Sequence, residues 1–308
     1  MVAALLLLSL ALSPPRPSRR VPDQRQLAEL KSPGSFQQLA TNMLPTTAAV
    51  TFRAWPALND DDIRLAVNAG RRFRLHLQDD DPSVPDPTLE LFQGDSLMNR
   101  FARALAAKKA IDRKEFFEAC EFFARVRSKL RADDGVGTLI DCAGGHGLVG
   151  TLAAIFMFRQ FDRVIVRDPK KPNAFDAVLE AAVEVAPWVE GRIMFDQSKI
   201  GPAHAPLPQG CAVVGVHGCR DLTDKIIAAA AAADARAVAL MPCCYKSTAA
   251  EAPQALRVSL GVPLAADVHR TYLLEQLGYT VKWSAIPTCI SPMNRIILAS
   301  RASRPTGS

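Results

Sequence analysis

The sequence lacks a long hydrophobic run. Its N-terminal apolar stretch, Val2 to Leu12, is only about half of the roughly 20 residues that a membrane-spanning helix requires. We therefore expect no transmembrane segment in the mature chain.

A disulfide framework is also missing. The seven cysteines are scattered along the chain, and only Cys243 and Cys244 are adjacent. Small secreted domains instead carry dense, regularly spaced cysteines. The pattern favours a reducing compartment, or a few thiols with a function of their own.

A large excess of charge of one sign is absent from the main part of the chain. The formal net charge is +6, but residues 1–53 contribute much of it through Arg and Lys. The remainder is close to neutral. Global charge is thus weak evidence for an acidic partner, and only local clusters could support one.

The N-terminus has the composition of a targeting sequence. Residues 2–12 resemble the apolar core of a signal peptide, without its usual preceding charge, and residues 13–53 are rich in Ser, Thr, Pro, Gln and Arg. The two parts together resemble the presequence of algae with secondary plastids. We expect a plastid location, or a cytoplasmic one if residues 1–53 are not a presequence.

Composition and periodicity divide the rest of the chain. We expect residues 54–95, with their acidic clusters and prolines, to form an irregular N-terminal extension. We expect residues 96–302 to form the main domain with its leading helices, and residues 303–308 to form a disordered tail. The composition is 49% apolar, which is enough for a sizeable core.

The most informative stretch runs from Thr138 to Gly150. A short apolar run predicts a buried strand, Asp141 ends it, a glycine-rich turn follows, and an apolar helix begins at Leu148. Glycines allow a tight turn and close approach of a ligand, and the helix N-terminus offers free N–H groups. A strand, a glycine turn and a helix open a nucleotide-binding α/β unit.

Strands and helices alternate from residue 136 onward, which is typical of a parallel sheet. The last two strands are close enough to form an antiparallel pair. The expected strands are 136–141, 163–167, 192–195, 211–216, 236–241, 280–284 and 294–300. The pattern predicts an α/β, Rossmann-like fold with seven mostly parallel strands, a terminal antiparallel pair and a helical N-terminal extension.

Two amphipathic helices precede the sheet, beginning near Ser96 and after Asp112. They are strongly basic, with only four acids. Their basic residues are Arg100, Arg103, Lys108, Lys109, Arg113, Lys114, Arg125, Arg127, Lys129 and Arg131. Such residues form either an ordinary solvated face or a basic rim that positions the phosphates of a nucleic acid.

Two acids stand where strands end, at the edge where open α/β sheets bind ligands. Asp168 follows strand 2, about 20 residues beyond the glycine turn, and could accept hydrogen bonds from both hydroxyls of a ribose. Asp196 follows strand 3. An adenosyl ligand and a nicotinamide dinucleotide would both use Asp168.

The ends of strands 4 and 5 carry His217, Cys219, Cys243, Cys244 and Tyr245. If the chain stayed extended, His217 and Cys219 would point the same way, beside the cysteines of the neighbouring strand. One His and three Cys could then form a zinc site. Alternatively, Cys243 could be a nucleophile, or these residues could line a substrate pocket in which His217 is the general base. They could also be buried small residues of the core.

Three motifs give a specific resemblance over roughly residues 95–300. The stretches 217–224 (HGCRDLTD), 241–245 (MPCCY) and 291–295 (SPMNR), with an acid before a G-x-G turn, resemble a subfamily of class I methyltransferases that depend on S-adenosylmethionine (SAM). Its members include the methyltransferase domain of the glutathione S-transferase C-terminal-domain-containing protein and the rRNA-adenine-dimethylase-domain-containing proteins. A related pair of motifs occurs in a tRNA 2′-O-ribose methyltransferase family.

The resemblance implies a class I methyltransferase fold, SAM as cofactor, transfer to an O or N acceptor, and RNA, such as tRNA or rRNA, as the acceptor class. No metal is required. The implied SAM-binding residues are Asp141, Gly144, Gly145, Gly147, Asp168 and Asp196. The implied catalytic residues are His217, Cys243 and Tyr245.

Two departures from the related families narrow the chemistry. The Asp/Asn-Pro-Pro-Tyr motif of amino-group methyltransferases is absent after strand 4, where His217 stands instead, so adenine-N6 methylation is not expected. Tyr245 replaces the second His of the tRNA family.

The sequence is also compatible with two other functions. A nicotinamide-dependent oxidoreductase would use Asp168, although the glycine spacing and the terminal strand pair argue against it. A methyltransferase fold without activity could serve as a module that binds RNA or protein.

Overall fold

The computed structural model describes residues 72–76, 83, 85–131, 137–201, 203–245 and 252–301. The predicted presequence and the tail lie outside these residues, as does most of the extension at 54–95. No helix in the described part is long and apolar enough to cross a membrane.

One seven-stranded sheet forms the centre of the molecule. Its strands are β1 (Gly137–Cys142), β2 (Phe161–Arg167), β3 (Ile193–Asp196), β4 (Ala212–Val216), β5 (Ala237–Met241), β6 (Thr280–Ala285) and β7 (Arg295–Ser300). Their spatial order is β3-β2-β1-β4-β5-β7-β6. Strands β1 to β5 are parallel, and β7 runs antiparallel to both β5 and β6.

This order distinguishes the fold from the usual dinucleotide-binding one. In the latter, the sheet has the order 3-2-1-4-5-6. Here β7 is inserted antiparallel between β5 and β6. The prediction of a mostly parallel sheet with a terminal antiparallel pair is confirmed, and this is the class I methyltransferase fold.

In the described part of the chain, two α-helices precede the first strand of the sheet, and the other α-helices lie between its strands in the chain. They are α1 (Leu97–Lys108), α2 (Arg113–Val126), α3 (Leu148–Phe156), α4 (Asn173–Val185), α5 (Leu222–Ala232), α6 (Gln254–Leu260) and α7 (Val262–Gln276), with short 3-10 helices at Pro87–Phe92 and Pro187–Val189. The single helix expected at 264–277 is in fact preceded by α6, and Gly261, with φ +75°, separates the two.

Both faces of the sheet are covered, which explains why its strands are almost continuously apolar. Leu139 and Val214 belong to a large core on one face, together with residues of α1 to α4. Ile140 and Val213 belong to a smaller core on the other face, with residues of α5 and α7. Neighbouring residues of one strand thus alternate between two cores.

The helical extension is tied to the domain by its own buried contacts. Ser96 caps α1 by accepting a hydrogen bond from the Asn99 N–H, and Asp112 begins α2 with a capping box. Phe73 stacks on Phe116 of α2 at 4.5 Å between ring centres. These contacts fix α2 against the rest of the fold.

Candidate functional site

The glycine turn after β1 is a tightly bonded loop with an open side. Gly145 and Gly147 have φ values of +51° and +72°, which residues with a Cβ rarely adopt. The Gly147 N–H donates to the Gly144 carbonyl at 2.7 Å. A Cβ at Gly145 would meet nothing within 4 Å, so a ligand can approach the backbone there.

Asp141 lies beneath this loop and holds it to α3. Its buried carboxylate accepts a hydrogen bond from the Gly150 N–H at 2.9 Å. Burial, with a smaller contribution from the nearby Asp168, raises the pKa of Asp141 to about 7, although the Gly150 N–H opposes this effect. Asp141 therefore supports the loop and titrates near neutral pH.

Gly150 allows α3 to pack closely on the sheet. A Cβ at this position would lie 2.8 Å from Cγ1 of Val164 on β2. Gly145, Gly147 and Gly150 by themselves also satisfy the G-x-G-x-x-G spacing, and the third glycine has the packing role that this fingerprint assigns to it. The glycine spacing thus does not exclude a dinucleotide, and the strand order is the stronger discriminator.

The two acids at the strand ends have different surroundings. Asp168, after β2, is half-buried, and one carboxylate oxygen accepts a hydrogen bond from the Lys170 N–H at 3.1 Å. Asp196 is paired through one oxygen with two nitrogens of the buried Arg167, each at 2.7 Å. Asp168 thus retains an oxygen for a ligand, whereas the Asp196 carboxylate already stabilises Arg167.

His217 is paired with an acid that sequence reasoning missed. Its Nε2 lies 2.8 Å from Oε2 of Glu118 on α2, 99 residues earlier in the chain. Glu118 is only 2% exposed, while His217 is 36% exposed. The signal in the sequence was an acid between Phe117 and Ala119, in a helix that is buried around most of its circumference.

The protonation state of Glu118 determines which nitrogen of His217 is basic. Burial disfavours the charged form of Glu118, but the hydrogen bond and the charge of His217, with smaller contributions from Ser291 and Lys114, outweigh burial and lower the pKa of Glu118. An ionised carboxylate can only accept, so Nε2 of His217 donates to it and Nδ1 of the neutral ring carries the lone pair. This is the base-and-orienting-acid arrangement of hydrolytic triads.

A second histidine, His146, stands in the glycine loop beside this pair. Its Nδ1 accepts a hydrogen bond from the Leu148 N–H at 3.2 Å, and its Nε2 lies 3.7 Å from Glu115 of α2. Burial and the nearby His217 lower the pKa of His146, against the opposite effect of Glu115. One face of α2 therefore carries the acidic partners of both histidines, Glu115 for His146 and Glu118 for His217.

The three cysteines of strands 4 and 5 come together, but without His217. The Sγ atoms of Cys219, Cys243 and Cys244 all lie within 4.8 Å of one another. The expectation that His217 joins them from an extended chain is wrong, because His217 has φ +62° and the chain turns there. Its side chain points to Glu118 instead.

Neither of the other two predicted catalytic side chains has contacts that favour catalysis. Burial and the adjacent thiols raise the pKa of Cys243 far above its usual value, which disfavours the thiolate that a nucleophile needs. The Tyr245 hydroxyl is buried and donates to Asp267 at 2.9 Å, and Asp267 also binds Arg295 at 2.8 Å. Their catalytic roles stay predictions.

A basic cavity of about 650 Å³ lies beside the carboxyl end of β2, between the end of α1 and the start of α4. Its charged lining consists of Arg72, Lys108, Lys109, Lys170 and Lys171. The predicted basic rim is smaller than expected, because Arg113 is fully buried and paired with Asp86, and Arg103 donates to two backbone carbonyls.

Comparison with known proteins gives one family and several distant structures. Residues 112–251 match the family model described as a methyltransferase domain. No curated protein matches significantly.

Several solved structures match this chain at low similarity. An O-methyltransferase family protein from Burkholderia thailandensis is 13% identical, with a TM-score of 0.39, over 67% of this chain and 63% of its own, so the match spans less than two thirds of that protein. The tRNA methyltransferase TrmK of B. subtilis is 13% identical over 59% and 66% of the two chains, with a TM-score of 0.37. A precorrin-6y C5,15-methyltransferase from Geobacter metallireducens is 15% identical over 58% and 87%, with a TM-score of 0.38.

The matched segment contains the glycine loop, Asp168 and the loops that carry His217 and the cysteines. This part of the chain is thus similar to the methyltransferase domain family, in a molecule with the class I methyltransferase fold.

Proposed function

We propose that the protein is a SAM-dependent methyltransferase that transfers a methyl group to an O or N atom of RNA. The observation that carries the proposal is the open side of the glycine loop at Gly145, next to the acids Asp141 and Asp168. The match of residues 112–251 to a methyltransferase domain supports it.

The residues at this edge suit an adenosyl ligand. The backbone of Gly145 and Gly147 would hold the amino-acid part, and Asp168 would accept hydrogen bonds from the ribose hydroxyls. Asp196 would face the adenine with its carboxylate held by Arg167. When bound, SAM supplies an electrophilic methyl group on its sulfonium.

The His217–Glu118 pair supplies the base for an acceptor that must lose a proton. Glu118 holds the ring through Nε2. Among the described residues no group bonds Nδ1, so this nitrogen is available to take the proton as the methyl group transfers. The remaining contribution of the protein is to orient the two reactants.

The basic cavity supports RNA as the acceptor class. Five cationic side chains line it, and it adjoins Asp168 through Lys170 and Lys171. Glu180 and Asp176 offset part of this charge by pairing with Lys108 and Lys171. A backbone phosphate bound here would lie near the proposed cofactor edge.

Calorimetric titration of the full-length chain with SAM, S-adenosylhomocysteine and NADH tests the cofactor class. We expect micromolar binding of both adenosyl ligands and none of NADH. Transfer of a labelled methyl group from SAM to total RNA, with total protein as the alternative acceptor, then tests the substrate class.

Each alternative has its own outcome. Tight binding of NADH alone would overturn the proposal and favour the oxidoreductase. SAM binding without transfer to RNA or protein would indicate a binding module, and labelling of protein alone would remove RNA as the acceptor.

A further inference from the structure

The thiols of Cys219, Cys243 and Cys244 form a compact group that the proposed methyl transfer does not use. The Sγ atoms of Cys219 and Cys243 lie 3.2 Å apart, and those of Cys243 and Cys244 lie 3.6 Å apart. Cys219 and Cys243 are half-buried, and Cys244 is exposed. The group is therefore accessible from solvent on one side.

The backbone holds these thiols together. The His217 N–H donates to the Met241 carbonyl at 3.0 Å, and the Arg220 N–H donates to the Cys244 carbonyl at 3.1 Å. These two bonds join the loop after β4 to the last residue of β5 and to the segment that follows it, on either side of Cys219. The convergence of the thiols thus follows from bonds between neighbouring parallel strands.

The spacing of the sulfur atoms suits one tetrahedral metal ion. With Zn–S bonds near 2.3 Å, two thiolates of a tetrahedral site lie roughly 3.8 Å apart. The observed Sγ–Sγ distances are 3.2 and 3.6 Å, and none exceeds 4.8 Å. Small side-chain movements would bring each of them to the distance expected for a zinc site. Although Cys243 and Cys244 are adjacent in sequence, their Sγ atoms lie 3.6 Å apart, and both are within 4.8 Å of the Sγ atom of Cys219.

We propose that Cys219, Cys243 and Cys244 bind one zinc ion through three thiolates. On binding, each thiol loses its proton to solvent and each sulfur forms one bond to the ion. Among the described residues no His, Asp or Glu completes the set. Within the part of the chain that the structure describes, a fourth position is left that water or another small ligand would fill, as in zinc sites with three protein ligands.

Titration with cobalt(II) tests this inference on the full-length, reduced chain after treatment with a chelator. Cobalt in a tetrahedral thiolate site shows thiolate-to-metal charge-transfer absorption. We expect this absorption to saturate at one equivalent and to disappear when zinc is added. The test requires neither SAM nor an acceptor, so its result is independent of the proposed function.

Three single substitutions and a control locate the site. Cys219→Ser, Cys243→Ser and Cys244→Ser should each weaken cobalt binding by more than about tenfold. Cys289→Ser, which removes another half-buried thiol outside the group, should bind like the original chain. Circular dichroism checks that each variant is folded, and the exposed Cys244 is the substitution most certain to keep the fold.

Two results would overturn the inference. One is the absence of charge-transfer absorption in the folded, reduced protein, or absorption that all three substitutions leave unchanged. The other is a Cys219–Cys243 disulfide, found by mass spectrometry in a glutathione buffer, in a protein that binds no cobalt when reduced.

Discussion

At the scale of single residues, His217 combines a strained backbone with a fixed side chain. Its φ of +62° costs about 1 kcal/mol for a residue with a Cβ. The hydrogen bond from its N–H to Met241 and the contact of its ring with Glu118 hold it there. Strain of this kind, retained at the ligand-binding edge of a sheet, is typical of functional sites.

Glu118→Gln tests whether the acid positions the base. We expect kcat for methyl transfer to fall roughly tenfold to a hundredfold, while KM for SAM stays unchanged. The Gln amide can donate as well as accept, so it no longer fixes the tautomer that leaves Nδ1 basic. Steady-state kinetics measure the two constants separately. Glu275→Gln, at an exposed acid of α7, should behave like the original chain, and a rise in KM at constant kcat would contradict the positioning role.

Asp168→Ala tests the ribose contact. Losing hydrogen bonds to a charged acceptor should weaken SAM binding by roughly tenfold to a hundredfold, as measured by calorimetry. Asp162→Ala, near the other end of β2, is the matched control. An unchanged affinity in Asp168→Ala would remove this residue from the site.

Asp141 should make stability depend on pH. Its pKa is raised from 3.8 to about 7 in the folded state, so the native protein binds more protons than the unfolded chain between these values and loses stability as the pH rises through them. The loss should be on the order of 2–4 kcal/mol. Urea unfolding at several pH values measures it.

Asp141→Asn is the control for this pH dependence, because Asn can still accept the Gly150 N–H but does not titrate. The variant should show a flatter profile between pH 4 and 7. A fall in stability identical to that of the original chain would assign the effect to other groups.

At the scale of elements, the unit formed by β1, the glycine loop and α3 depends on close packing at Gly150. A Cβ there would lie 2.8 Å from Val164 Cγ1 and 3.2 Å from the Asp141 carboxylate. The helix must therefore move away from β2 if the residue is enlarged. This packing fixes the height of the loop above the sheet.

Gly150→Ala should lower the free energy of unfolding by about 1–3 kcal/mol, the usual cost of overpacking. Val164→Ala removes the methyl group that clashes, so the double variant should be more stable than the sum of the two single effects predicts. Urea unfolding of all four proteins measures this coupling. Strict additivity would show that Val164 is not the source of the cost.

At the scale of the whole molecule, the described residues place a group of cationic side chains beside the carboxyl end of β2, next to the proposed cofactor site. The cavity with Lys109 and Lys170 lies there. A second cationic pair, Lys129 and Lys282, lines another pocket with residues of β6 and β7, at the far side of the sheet. The two sites allow substitutions that remove equal charge from different places.

Lys109→Gln/Lys170→Gln should weaken RNA binding by roughly tenfold and reduce the salt dependence of log K by up to about 2, because two phosphate contacts are lost. Fluorescence anisotropy with an RNA hairpin at several salt concentrations measures both. Lys129→Gln/Lys282→Gln removes the same charge and should have little effect. Equal effects in the two variants would indicate nonspecific attraction.

Much of the fold could be predicted from neighbouring residues. Apolar periodicity predicted each strand and most helices, and glycines with capping residues such as Ser96 and Asp112 marked several boundaries. Helix α6 was missed because it is short and none of its residues is buried. The position of Asp168 at the end of β2 was also predictable, since it depends on local order along one βα unit.

The sequence by itself determined the element order, the glycine loop and the acid after β2, because these depend on residues close together in the chain. Only the tertiary structure decided that His217 pairs with Glu118, that Arg167 engages Asp196, and that three cysteines converge without the histidine. These contacts join residues on different elements, and a single turn at His217 reverses the direction that an extended chain would give its side chain.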